Sequence, residues 1–518
     1  MKHSTHGRGL APVVSLLIAG WAAPAAGQDA PAPPRFGLGE VVASALSRSA
    51  GVALGVADLR SQEGALRQSA GAFDPQTWAS VESERKNTPA FSNASSDPAS
   101  VQTTEVSYGT GVDWRLRSGI VVSPSVSFSR VEASSQAGLV RNTGVAGLDV
   151  VVPMLRGRGG GMQTATERAA HATLSATAAD LRHQRAAAVV DAVTAYWGYV
   201  AAVRNLAVFR DAEARTRRLV EQTQKLIEAD ERPAADRLPM EANLASRRAT
   251  RLAGEQSVAL ARQVLAEAMG LPPAELAALP LPTDSFPAAA GVAQWPAAPD
   301  AAAVAVEHRP DVAAARERRA AAEQLLRGAR RDARTQLDLT VGAGYTGLES
   351  GVELDRFFSP FYSGRRGLQG RVSLSYALPA GNRFAGGQLM RSAAADQRAA
   401  INLEETSRRA ALEVLTADET LKRSVEEVEL SRETVRLHRA SVESELRKYQ
   451  LGSSTLFDVI QAEEGLTSAI LAQINVQRRY AVALLQMRFL TGTLLAEGED
   501  SVDPARLTTW GAAAVPTR

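Results

Sequence analysis

The chain says the same thing twice, and this constrains its fold more than any local motif. Residues 46–81 pair without a gap onto 306–341 at an offset of 260, with Val52/Val312, Leu66/Leu326, Arg67/Arg327 and Gln76/Gln336 in agreement. Residues 226–270 pair onto 448–492 at an offset of 222, where Asp236/Asp458, Glu241/Glu463 and Gly270/Gly492 coincide. A duplication of this length sets architecture first. The offsets differ by 260 − 222 = 38, so the first repeat carries 38 more residues between its matched ends.

Residues 1–27 read as a secretory signal. Lys2 and Arg8 precede the apolar residues 13–23, and Ala25 and Gly27 suggest cleavage before Gln28. The 518-residue chain holds 58 Lys and Arg against 56 Asp and Glu; without Lys2 and Arg8 the count is 58 − 2 = 56 against 56. Balanced charge gives no electrostatic case for nucleic acid as a partner. The absence of cysteine rules out disulfides, thiolate metal sites, cysteine nucleophiles and an N-terminal acyl-cysteine anchor. No later stretch offers about 20 mostly apolar residues free of charge, so no spanning helix is expected. An exported chain of this kind that enters a membrane must do so as strands.

Strand patterns are present. Val106, Tyr108, Val112, Trp114 and Leu116 alternate with Ser107, Gly109, Gly111, Asp113 and Arg115. Val122, Val126 and Phe128 alternate with serines, Ala146, Leu148, Val150 and Val152 form a third series, and residues 337–345 and 371–378 repeat the pattern. Period-two alternation means one apolar and one polar face. Such faces suit a sandwich with an apolar core or an outer-membrane barrel facing lipid.

After each strand region comes a long tract of good helix formers, residues 162–269 and 384–490. In the second tract Val414, Leu421, Val428, Val435, Val442 and Tyr449 recur every seven residues; the matching line in the first is Ala192, Tyr199, Leu206, Glu213, Val220 and Ile227. Seven-residue spacing indicates coiled-coil-like packing. Each tract breaks once, around Pro233 and around Gly452-Ser453-Ser454-Thr455, so each is a helical hairpin. Residues 75–155 and 335–379 separate the matched helices, spans of 81 and 45, so the surplus lies largely in the first strand region. One additional hairpin is expected there, with its turn at residues 117–119. The expected organisation is a signal (1–27), repeat one (28–270), a Pro/Ala-rich linker (271–305), repeat two (306–495) and a loose tail (496–518).

The chain thus resembles the TolC-like outer-membrane efflux channels over residues 38–495. The resemblance rests on the duplicated helix–strand–helix order, on Val152-Pro153-Met154-Leu155-Arg156-Gly157-Arg158-Gly159 with its counterpart at 376–383, and on the turn that begins Tyr449-Gln450-Leu451-Gly452 and runs to Asp458-Val459-Ile460-Gln461-Ala462. It implies an α+β membrane protein: a homotrimer whose pooled strands form a β-barrel in outer-membrane lipid, and whose helices form a periplasmic tunnel. It also implies two working partners, a periplasmic adaptor and an inner-membrane transporter, with passive conduction and no catalysis or cofactor. The family's entrance gate maps onto Asp236, Tyr449, Asp458 and Gln461: a Tyr449–Asp236 closure contact and a carboxylate ring at Asp458, weakened because Gln461 replaces a second acid. The gate arginine is Ser454 here, and Asp230 replaces the usual first-turn glycine. Helix capping is the plain alternative for both aspartates.

Other chemistry is weak. Residues 342–347 spell a dinucleotide fingerprint, but inside a strand pattern. His171 and His183 lie on a polar helix without metal-ligand spacing, and Tyr196, Trp197 and Tyr199 suit helix packing. A periplasmic adaptor or coiled-coil scaffold is the main competing reading, though such proteins usually carry one hairpin.

Overall fold

The computed structural model describes residues 36–91, 98–134, 140–230, 233–289, 295–362, 365–495 and 502–510. The signal region lies outside them. Repeat one contributes α1 (Leu38–Arg48), α2 (Ala50–Ala70), β1 (Gln76–Phe91), β2 (Pro98–Arg115), β3 (Val121–Ala133), β4 (Val140–Pro153), α3 (Gly161–Glu228) and α4 (Arg237–Ala268). The short α5 (Pro273–Leu276) follows. Repeat two contributes α6 (Ala298–His308), α7 (Pro310–Asp332), β5 (Gln336–Ser350), α8 (Leu354–Phe358), β6 (Arg365–Ala377), α9 (Arg383–Gln450) and α10 (Leu456–Leu490).

The two offsets govern the whole backbone. At 260, α1 starts over α6 (38 + 260 = 298), α2 over α7 (50 + 260 = 310) and β1 over β5 (76 + 260 = 336). At 222, α3 matches α9 at both ends (161 + 222 = 383; 228 + 222 = 450). The second structural copy therefore begins at Ala298, inside the expected linker, because residues 298–308 form the helix corresponding to α1. The surplus falls on β2 and β3, whose turn is closed by bonds from Leu116 N to the Ile120 carbonyl and from Gly119 N to the Leu116 carbonyl.

All six strands form one antiparallel sheet in chain order. The α3 and α9 helices, 68 residues each, are about 100 Å long. α3 packs along α2, α4 and α7, and α9 along α6, α7 and α10. Val414, Leu421, Val428, Val435, Val442 and Tyr449 are all buried, as the seven-residue spacing requires. The main core brings α1 and the 279–286 segment onto Val193, Tyr196, Trp197 and Val200 of α3. Asp284 joins these parts, accepting from Leu38 N (2.9 Å) and from the Tyr196 hydroxyl (2.8 Å).

One expectation needs qualifying and one needs correction. α3 contains an 18-residue window apolar enough to cross a membrane, but 56% of that window is buried within the protein, so its apolarity serves packing. The described end of the tail is docked, not loose. Val502, Leu507 and Trp510 are buried, and the Arg488 guanidinium donates to the Thr509 carbonyl and lies over the Trp510 ring. The fingerprint glycines 342–347 sit within β5, paired on both sides.

Candidate functional site

Two surfaces carry the candidate sites: the sheet and the hairpin tips. Residues directly opposite across an antiparallel ladder share a face. Val122, Val126 and Phe128 of β3 stand beside Trp114, Thr110 and Tyr108 of β2 and beside Val150, Ala146 and Gly144 of β4. The row continues through Val341, Tyr345 and Gly347 of β5 to Val372, Leu368 and Arg366 of β6. This apolar face is open, with Val341 43%, Val372 75% and Leu368 89% exposed. The opposite face carries Asp149 paired with Arg371 (2.7 Å) and Asp113 accepting from the Ser123 hydroxyl (2.7 Å). A sheet that is oily on one side and charged on the other suits lipid outside and water inside.

Aromatic side chains bound the oily face at both ends. Trp114 and Tyr376 stand where the strands meet the helices, since both pair near the helical ends of their strands. At the far end, Tyr108, Phe128 and Tyr345 gather Phe357, Phe358 and Phe361 from the β5–β6 connection. Phe128 lies 5.2 Å from Phe361 and 5.3 Å from Phe358. Glycine is required at position 347, because a Cβ there would collide with the Pro360 carbonyl of that connection. Past the aromatics, Arg130 lies over Phe357 and donates to buried Asn142 (2.9 Å). Aromatics in two belts, with polar groups past the far one, are the arrangement that two membrane interfaces favour.

At the tips, the α3–α4 turn places Asp230 at φ 60°, and the α9–α10 turn places Gly452 at φ 75°. The positions correspond (230 + 222 = 452). Tyr449 buries its ring in a cluster with Met240, Leu456 and Val459, against Leu219, Val220, Leu446 and Ile460. That cluster draws on all four helices of the two hairpins. Asp236 sits half-buried at the start of α4, and its side chain makes no capping bond there. Asp458 is exposed and closes a reciprocal capping box: its carboxylate accepts from Thr455 N (2.9 Å) and the Thr455 hydroxyl (2.6 Å), while Asp458 N donates to Thr455 Oγ1 (3.3 Å). The hydroxyl and backbone bonds from Thr455 hold its carboxyl below the ordinary aspartate range. Ser454, at the gate-arginine position, has its Oγ 2.9 Å from Glu445 and 3.3 Å from Asp458. Gln461 is exposed one turn further on.

Sequence reasoning missed the ties between hairpins. Arg215 of α3 donates to Glu463 of α10 (2.8 Å), and Arg247 of α4 reaches Glu464 (3.1 Å). Beside them buried Glu213 accepts from Arg217 (2.9 Å) and Arg251 (2.7 Å). One signal was available: Glu213 interrupts an otherwise apolar seven-residue line, which a charge network would explain.

Residues 302–493 match the family model described as outer membrane efflux protein. No curated protein is significantly similar in sequence. Among solved structures, the outer membrane protein VceC from Vibrio cholerae is similar over 88% of this chain and 96% of its own (TM-score 0.64, 19% identity). The CmeC outer membrane channel of Campylobacter jejuni is similar over 89% and 87% (0.61, 15%), and the open-state MtrE outer membrane channel of Neisseria gonorrhoeae over 88% and 88% (0.60, 17%). At these identities the likeness speaks for the fold, while the family match covers the second repeat. Together with a belted sheet on paired long helices, they favour a channel over a periplasmic adaptor: the second repeat is similar to the outer membrane efflux protein family, and the chain as a whole has the fold of these outer-membrane channels.

Proposed function

We propose that three copies assemble around one axis and passively conduct solutes handed over by an inner-membrane transporter through a periplasmic adaptor. The observation that carries this reading is the open six-stranded sheet, oily outside and polar inside, standing on two helical hairpins. Backbone edges cannot remain unpaired in lipid, so closure by further copies is required. The helices then form the tunnel wall, and the transporter supplies the energy. A heat-modifiable trimer in outer-membrane fractions, conducting in planar bilayers, is expected; recovery as a soluble periplasmic protein would falsify the proposal.

The tips form the gate. Tyr449 and Asp236 make the closure contact, and three copies of Asp458 near the axis favour cations at the mouth, with Gln461 leaving that ring weaker than a double one. The exposure of Asp458 and Gln461 supports this placement. Tyr449→Phe is expected to raise single-channel conductance while preserving the packed ring. Asp458→Asn is expected to weaken block by multivalent cations. Unchanged conductance in the first variant, or unchanged block in the second, removes that residue from the gate.

A further inference from the structure

We propose that the membrane wall of the channel is an 18-stranded barrel (3 × 6), in which β6 of each copy pairs with β1 of the next. This rests on the three-copy assembly and adds which surfaces join the copies and how wide the pore becomes. The sheet ends in two unpaired strands of opposite direction, 16 and 13 residues long. Every residue of β6 is exposed, as are Gln76, Trp78, Val81 and most other described side chains of β1. Because six is even, β1 leaves the helices and β6 returns to them, so the junction is antiparallel and needs no crossover. The apolar residues Val81 on β1 and Leu368, Val372 and Leu374 on β6 then continue one oily band across the joint.

The added strands are structurally part of that wall. β2 and β3 are bonded in register from β1 through to β4. Their turn is anchored on the helices: Arg117 forms a two-pronged bond with Glu167 (3.0 and 2.6 Å), its guanidinium lies over Phe73 (4.9 Å), and Thr164 donates to its carbonyl. Trp78 of β1 lies over Gly109 and Gly111 of β2, where any added Cβ would crowd its ring. Without the extra hairpin each copy would give four strands and the trimer 12. Diameter grows roughly in proportion to strand number, so 18 strands widen the barrel by about half, into the range that leaves an open aqueous channel. The long helices α3 and α9 have 68 residues each, so the insertion widens the outer mouth and does not lengthen them.

Two measurements on the full-length protein test this. Electron cryo-microscopy of the purified particle, with its mass fixed by light scattering, is expected to show three copies and 18 strands. A trimer with 12 strands overturns the proposal; a particle of another stoichiometry overturns the assembly beneath it. The cysteine-free chain also allows single labels. A fluorophore on Val126→Cys in β3 is expected to be quenched by a mid-bilayer nitroxide lipid as strongly as one on Val341→Cys in β5. Quenching at position 341 without quenching at 126 places β3 outside the lipid-facing wall and overturns it.

Discussion

The two hairpin tips share one backbone and differ in how they are fastened. Both turns follow a 68-residue helix and put a left-handed residue at the same repeat position, Asp230 in one and Gly452 in the other. The second tip then closes on itself: Thr455 and Asp458 cap each other, with Ser454 between Glu445 and Asp458. The first restarts with Pro233, and Asp236 at the head of α4 spends no bond on capping. Duplication thus preserved the turn while one copy became internally tied and the other kept a carboxylate uncommitted to its own helix. The gate proposed at the tips would draw on both kinds: a fixed edge and an available acceptor.

The strongest way to break this comparison is to remove what the tips share. Tyr449→Ala empties a buried aromatic site, which costs about 3–5 kcal/mol locally. Because Met240, Leu219 and Val220 pack in the same cluster, hydrogen exchange is expected to rise in both tips. A rise confined to the second tip would show that the two move independently.

A smaller effect is expected from the tie above the tips. Arg215 and Glu463 are 29% and 17% exposed, so their bridge is only partly screened by water. A double-mutant cycle with Arg215→Ala and Glu463→Ala is expected to give about 1 kcal/mol of coupling. Coupling near zero would remove this bridge from the forces that join the hairpins.

Acid should separate the tips as well. The folded-state pKa of Asp458 lies below its ordinary value, so its cap contributes above that value and is lost as pH falls through the folded-state pKa. Below the ordinary carboxylate range, exchange at residues 455–460 is expected to rise before exchange at 237–242. Simultaneous loss would mean that the capping box does not distinguish the second tip.

How much of this was legible follows from which forces are periodic. Val414 through Tyr449 announced a buried seam, because burial in paired helices leaves a seven-residue trace. Val122, Val126 and Phe128 announced an oily sheet face for the same reason. The ties Arg215–Glu463 and Arg247–Glu464 left no such trace. They join residues 248 and 217 positions apart, on helices that carry many other arginines and glutamates. The docked tail was hidden for another reason: a loose-looking composition outweighed three isolated apolar side chains, Val502, Leu507 and Trp510. Asp458 carried its cap openly in Ser-Ser-Thr-Leu-Phe-Asp, whereas Asp236 has Pro233 where Thr455 stands (233 + 222 = 455), a residue with neither the N–H nor the hydroxyl that a matching box would use.

The smallest expected effect is also the most direct probe of the shared turn. Asp230 holds φ 60°, a left-handed conformation in which an ordinary Cβ crowds the backbone and glycine does not. Aspartate tolerates it better than most residues, and glycine adds freedom to the unfolded chain, so the two terms partly offset. Asp230→Gly is therefore expected to stabilise the first tip by only about 0.5 kcal/mol. Gly452→Asp, placed where φ is 75°, is expected to destabilise the second by a similar amount. If hydrogen exchange shows equal and opposite shifts, the turns are interchangeable and the tips differ only beyond them. If Asp230→Gly instead loosens the first tip, its side chain contributes something the glycine of the other copy never supplied.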